Sequence, residues 1–129
     1  MKTIKVNEIE IGNDKPFVLI AGLNVLEDEK TIHSVITQCI ASSTKFKIPF
    51  IFKASYDKAN RSSISSYRGP GAKKGLEILA ELKQEYGVPI ISDIHTPEEA
   101  AMASDILDII QIPAFLSRQT DLIEAACST

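Results

Sequence analysis

The sequence predicts an α/β fold built on a parallel sheet. Three observations lead there. Four short apolar runs are separated by stretches with helical spacing, the runs are nearly continuous rather than alternating, and polar residues gather where each run ends. Continuous apolar strands suit a sheet covered on both faces, and strand–helix alternation at this spacing implies right-handed βαβ units.

Each element has its own signal. Residues Ile4–Ile11, with Asn7 and Glu8 near a turn, predict an N-terminal hairpin. The run Pro16–Ala21 predicts the first strand of the repeating part. Ile32, Val35, Ile36, Cys39 and Ile40 then fall on one helix face. The run Ile48–Phe52 predicts a second strand, and Leu76, Leu79 and Leu82 a second helical stripe that Gly87 closes. A third strand follows over Val88–Ser92. Thr96-Pro97-Glu98-Glu99 reads as a helix start, with Thr as N-cap, Pro in the first turn and Glu three residues on as a capping box. A fourth strand over Ile106–Ile112 precedes a last helical pattern through Thr120, Leu122, Ile123 and Ala126.

The predicted order is thus a hairpin followed by four βα units. Four units fit an open sheet or half of an eight-unit barrel, which needs about 250 residues. The sequence stops inside its last helical pattern, at Cys127-Ser128-Thr129, which favours the half barrel. Residues 1–129 are expected to be the N-terminal portion of one barrel domain.

Bulk properties narrow the function. No apolar run reaches the roughly 18–20 residues of a membrane helix, and the N-terminus lacks the apolar core of a signal peptide, so a cytoplasmic location is expected. A net charge of −3 without aromatic–basic interleaving argues against nucleic acid. Cys39 and Cys127 are far apart and read as reduced, buried thiols. Between Lys53 and Lys74 stand six basic residues and one acid, giving that segment +5 and the remainder −8. A cationic loop in an acidic chain suits one or two small phosphorylated ligands.

Candidate chemistry sits at the strand ends: Asn24 after the first run, Lys53 and Ser55 after the second, Asp93 and His95 after the third, Gln111 in the fourth. That edge is the functional one in both architectures. Residues two apart share a strand face, so Lys53 and Ser55 point one way, as do Asp93 and His95. A lysine at the end of an apolar strand requires an anion or a carboxylate partner. The Asp93-x-His95 pair suits a divalent metal, acid–base work or a structural His–Asp hydrogen bond. Gln111 reads as a ligand contact or as part of a barrel-interior network, and His33 as structural. The segment from Ser55 to about Ala72 exceeds the roughly 12–15 residues usual for an unstructured loop, and it lacks the P-loop pattern.

The string FKASYDKANRSS (Phe52–Ser63), followed by SYRGPG (Ser66–Gly71), closely resembles the signature of the 3-deoxy-D-manno-octulosonate 8-phosphate synthases. DIH (Asp93–His95) and QIPAFLSRQTDL (Gln111–Leu122) resemble that family's next two motifs, so the resemblance covers almost the whole chain from Pro16. It implies a (β/α)₈ TIM barrel, usually a homotetramer, that condenses phosphoenolpyruvate with D-arabinose 5-phosphate and releases phosphate, serving lipopolysaccharide synthesis. By similarity, Lys53 and Lys58 contact phosphoenolpyruvate with Ser55 and Asp93 nearby. Asn60 and Arg61, assisted by Ser62, bind the pentose phosphate. Gln111, Ala114 and Phe115 line the phosphoenolpyruvate pocket. Lys58 and Asn24 are the implied catalytic positions.

Asn24 also sets the subclass. Metal-dependent members carry a cysteine ligand just after the first strand, and asparagine is a poor substitute for a thiolate on a transition metal. No metal or other cofactor is therefore expected. The family's chain is roughly twice as long, so its other half-site has no counterpart here, and open sheet edges are expected. Two competing readings are a sister heptulosonate synthase acting on erythrose 4-phosphate and an inactive remnant that binds a phosphorylated ligand.

Overall fold

The computed structural model describes residues 2–129. A two-stranded antiparallel hairpin, β1 (Ile4–Val6) and β2 (Ile9–Ile11), opens the chain, with Asn7 in the left-handed region at its turn. A four-stranded parallel sheet follows in the order β3 (Leu19–Leu23), β4 (Phe50–Ala54), β5 (Ile90–Asp93) and β6 (Ile109–Gln111). The helices α1 (Glu29–Phe46), α2 (Ala72–Tyr86) and α3 (Pro97–Ser104) connect successive strands, and α4 (Thr120–Cys127) closes the series. This sequential parallel order is that of neighbouring strands in a (β/α) barrel.

The register assigns the two faces of the sheet. Gly22 pairs with Lys53, Lys53 with Ile91, and Asp93 with Gln111. Because side chains alternate, Ile20, Gly22, Ile51, Lys53, Ile91, Asp93, Ile109 and Gln111 share one face. The opposite face presents Phe50, Phe52, Ala54, Ile90 and Ile94 to Ile32, Ile36, Leu76, Leu79 and Leu82 of the helices, and this is the hydrophobic core. On the first face Ile51, Ile91 and Asp93 are buried, while at its β3 edge Ile20 is 48% exposed. The expected open edges are present, since β3 and β6 each pair on one side only.

The predicted α1 stripe packs inward, and Asp28, not among the predicted caps, caps that helix by accepting from the Thr31 amide at 3.0 Å. Gly87 ends α2 in the left-handed region. Strands begin two or three residues later than the apolar runs. Pro16, Phe17 and Val18 precede the ladder, which starts where the Leu19 amide donates to the Pro49 carbonyl. Two expectations need correction. Cys127 is exposed and Cys39 half-buried, so neither free thiol belongs to a sealed core. Thr96 does cap α3, but the Glu99 carboxylate does not complete a capping box; it turns instead to His95 and Tyr56.

Candidate active site

Register brings Lys53, Ser55 and Asp93 together at the C-terminal end of the sheet. Lys53 Nζ donates to Asp93 Oδ1 at 2.8 Å and to Ser55 Oγ at 2.6 Å, while the Ser55 hydroxyl also donates to Asp93 Oδ1. Ser55 and Asp93 are buried. A buried lysine is costly unless its charge is matched, and Asp93 matches it. Burial would raise the Asp93 carboxyl, but His95, Lys53 and Ser55 outweigh it and hold the group far below the usual carboxylate range. Burial in turn pushes the Lys53 ammonium down, opposed by Asp93.

His95 extends this array. Its Nε2 lies 3.4 Å from Asp93 Oδ2, and its Nδ1 lies 3.5 Å from Glu99 Oε2 without a well-formed hydrogen bond. The Asp93 and Glu99 carboxylates raise the imidazole to about 9 against the effect of burial, so it is a cation at neutral pH. The two residues of Asp93-x-His95 thus lie within ion-pair distance of each other. Glu99 Oε2 also accepts from the His95 amide at 2.7 Å and from the Tyr56 hydroxyl at 2.8 Å. Tyr56 is fully buried; burial and then Glu99 lift its phenol well above the ordinary range.

Tyr56 is the root of the long loop Ser55–Gly71. The Tyr56 carbonyl accepts from the Gly71 amide, the Lys58 amide donates to the Arg68 carbonyl, and Tyr67 donates to the Leu26 carbonyl at 3.0 Å. Arg68 clasps Asp57 through two hydrogen bonds of 2.8 and 2.6 Å. The positive segment is therefore not one open patch. Lys53 and Arg68 face carboxylates, and Lys74 lies 3.6 Å from Glu77, whereas Lys58 and Arg61 make no ion pair among the described residues.

The sequence-predicted residues divide into four groups. Lys58, Asn60, Asp93, Gln111, Ala114 and Phe115 line one pocket of about 130 Å³, together with Ala59, His95 and Pro113. Lys53 and Ser55 are bonded to Asp93 behind its wall. Arg61 stands apart, lining a wide groove with Val25, Glu27, Asp28, Ser66 and Tyr67, and its Nε donates to the Tyr67 carbonyl at 3.1 Å. Ser62 is exposed and joins neither pocket; Asn24, just beyond β3, is likewise exposed. The structure therefore gathers Lys58, Gln111, Ala114 and Phe115 around one pocket, places Asn60 with them rather than with Arg61 and Ser62, and leaves Lys53 and Ser55 out of its lining.

A profile of the DAHP synthetase I family matches residues 2–129. The chain belongs to this family. Within it, a protein of Marinobacter nauticus named 2-dehydro-3-deoxyphosphooctonate aldolase is 56% identical over 126 residues, covering 98% of this chain and 45% of that protein. Proteins of the same name from Psychromonas ingrahamii and Bdellovibrio bacteriovorus are 52% and 53% identical over 128 residues, 99% of this chain and 46% and 44% of theirs. The chain spans about half the length of the curated relatives it matches.

Two participants in this family member's array, Tyr56 and Glu99, escape a reading by motif. Tyr56 lies inside the recognised string but reads as filler between Ser55 and Asp57, and Glu99 reads as helix capping. The available signal is Gly75: a Cβ there would sit 2.1 Å from Tyr56 Cβ, so the α2 glycine marks a tight seat for that ring.

Proposed function

We propose that the chain forms the phosphoenolpyruvate-binding side of a synthase condensing phosphoenolpyruvate with D-arabinose 5-phosphate and water. The products are 3-deoxy-D-manno-octulosonate 8-phosphate and inorganic phosphate, in lipopolysaccharide synthesis. The observation that supports it is the meeting of Lys58, Gln111, Ala114 and Phe115 around one pocket at the strand ends, with Asn60, the expected pentose contact, beside them. The name borne by the relatives, 2-dehydro-3-deoxyphosphooctonate aldolase, supports the same reading.

In this reading C3 of phosphoenolpyruvate attacks the sugar aldehyde, and positive character develops at C2. Water adds there, and the C2–O bond to phosphate then breaks, so phosphate leaves with the bonding electron pair. The unpaired Lys58 ammonium is placed to meet the substrate's negative charge and to give a proton to the aldehyde oxygen. Lys53 and Asp93 hold a fixed dipole beside it. Positioning two anions and stabilising charge with preset groups are the main sources of rate.

The 129 residues by themselves are proposed to bind without turnover. The pocket is well below the roughly 300–1,000 Å³ of small-molecule sites. The working enzyme is proposed to be cytoplasmic, homotetrameric and free of metal. Asn24 supports the last point, because its amide is a weak ligand for a transition metal.

The test is complementation. The chain is mixed with the remaining segment of the Marinobacter nauticus relative, and phosphate release is followed. Release dependent on arabinose 5-phosphate and unchanged by a chelator is expected. Preference for erythrose 4-phosphate would assign the sister activity instead. Loss in chelator with recovery in Mn²⁺ or Zn²⁺ would overturn metal independence. Association of the two pieces without phosphate release would favour the binding remnant.

A further inference from the structure

One carboxylate oxygen joins two parts of the site that the sequence keeps apart. Glu99 Oε2, in the first turn of α3, accepts from the Tyr56 hydroxyl and the His95 amide and faces His95 Nδ1. Tyr56 begins the loop that bears Lys58 and Asn60, and His95 is followed directly by α3. The joint is enclosed: the Glu99 side chain is 17% exposed, the His95 side chain 9%, and the Tyr56 ring not at all. Gly75 and Gly69 leave room for the phenol and its carbonyl, since a Cβ at either would lie within 2.3 Å of Tyr56. The base of the Tyr56 side chain thus packs directly against α2, and its buried hydroxyl reaches Glu99 at 2.8 Å.

We propose that Glu99 is a positioning residue that fastens the cationic loop, through Tyr56, to the His95–Asp93–Lys53 array at the end of β5 and β4. It touches neither pocket and acts only through its neighbours. Its two tasks differ in chemistry. Fastening the loop needs an acceptor for the Tyr56 hydroxyl, which a neutral amide also supplies. Keeping His95 charged needs the negative charge. The other groups facing His95 are Asp93 on β5, the edge-on Tyr56 ring with centroids 6.1 Å apart, and Lys58 and Gln111 across the pocket, with Lys53 behind Asp93. Glu99 and Asp93 are the anions among them. The loop so held bears Lys58, a proposed phosphoenolpyruvate contact, and Asn60, which lines the same pocket, so the inference deepens that reading and, in its consequence for ligand, rests on it.

The test uses the 129-residue chain and nuclear magnetic resonance, without any substrate. Glu99→Gln is expected to lower the His95 titration midpoint by at least about one pH unit, because an opposing charge at this range shifts a group by roughly 1–3 units. It should leave exchange of the Lys58 and Gly71 amides near the parent rate. Tyr56→Phe is expected to do the reverse, speeding those two amides at least about tenfold while moving His95 little. An unmoved His95 midpoint in Glu99→Gln, or unmoved amides in Tyr56→Phe, would overturn the assignment. So would unfolding of Glu99→Gln, since the neutral acceptor is held to be enough for the fastening. Should both variants behave as expected while phosphoenolpyruvate fails to bind, the joint stands and the functional reading falls.

Discussion

Asp93→Asn removes the one carboxylate that Lys53 contacts. The parent side chain takes Lys53 Nζ at 2.8 Å and Ser55 Oγ, with His95 Nε2 at 3.4 Å. Its side chain is 5% exposed and that of Lys53 19%. Breaking a buried pair by removing one partner costs about 3–5 kcal/mol. The lower end applies here, because the Asn oxygen still accepts one hydrogen bond, Lys53 retains some water, and His95 can lose its proton. The expected loss is about 3 kcal/mol, which for a domain of this size lowers Tm by about 10 °C. Urea denaturation of parent and variant at pH 7 measures it, with a Lys53→Met, Asp93→Asn double-mutant cycle isolating the pair. A loss under about 1 kcal/mol, with no coupling in the cycle, would refute the claim that Asp93 holds the Lys53 charge.

Other expectations follow from the same geometry. The folded-state value of His95 is raised from 6.5 to about 9, so its contribution is complete below pH 6.5 and disappears as pH climbs to about 9; urea midpoints across that window should fall. The depressed Asp93 gives the opposite limb, with stability present above its unfolded value and lost as acid protonates it in the folded state. Gly75→Ala should cost more than about 2 kcal/mol by thermal denaturation, because the added Cβ meets Tyr56 at 2.1 Å in the packed core. Asp28→Ala should cost about 1 kcal/mol through loss of the α1 cap. Lys58→Met in the complemented enzyme should sharply reduce phosphate release, and near-parent rates would remove Lys58 from the chemistry.

The sequence reading succeeds where local physics dominates. The Ile32–Ile36–Ile40 stripe, the Thr96 cap and the Gly87 terminus are helical signals that neighbours a few residues away decide. The strand starts are late because Pro16–Val18 is apolar enough to resemble strand, yet Phe17 is 68% exposed and the ladder begins at Leu19. At the site, strand parity set Lys53 with Ser55 and Asp93 with His95, and the register brought the two pairs into contact. Glu99 was not legible as a site residue because capping and tertiary bonding compete for the same carboxylate, and Tyr56, 43 positions away, wins it. Arg61 is set apart from Asn60 by a bond to the Tyr67 carbonyl that no local pattern specifies.

The central claim is that the pocket at the strand ends receives phosphoenolpyruvate. Titrating the ¹⁵N-labelled chain with that compound tests it most directly. The account predicts saturable shifts at Lys58, Asn60, Gln111, Ala114 and Phe115, absent with an equal concentration of sulfate. Shifts confined to Lys73 and Lys74 at the start of α2, or none at those five residues, would contradict it.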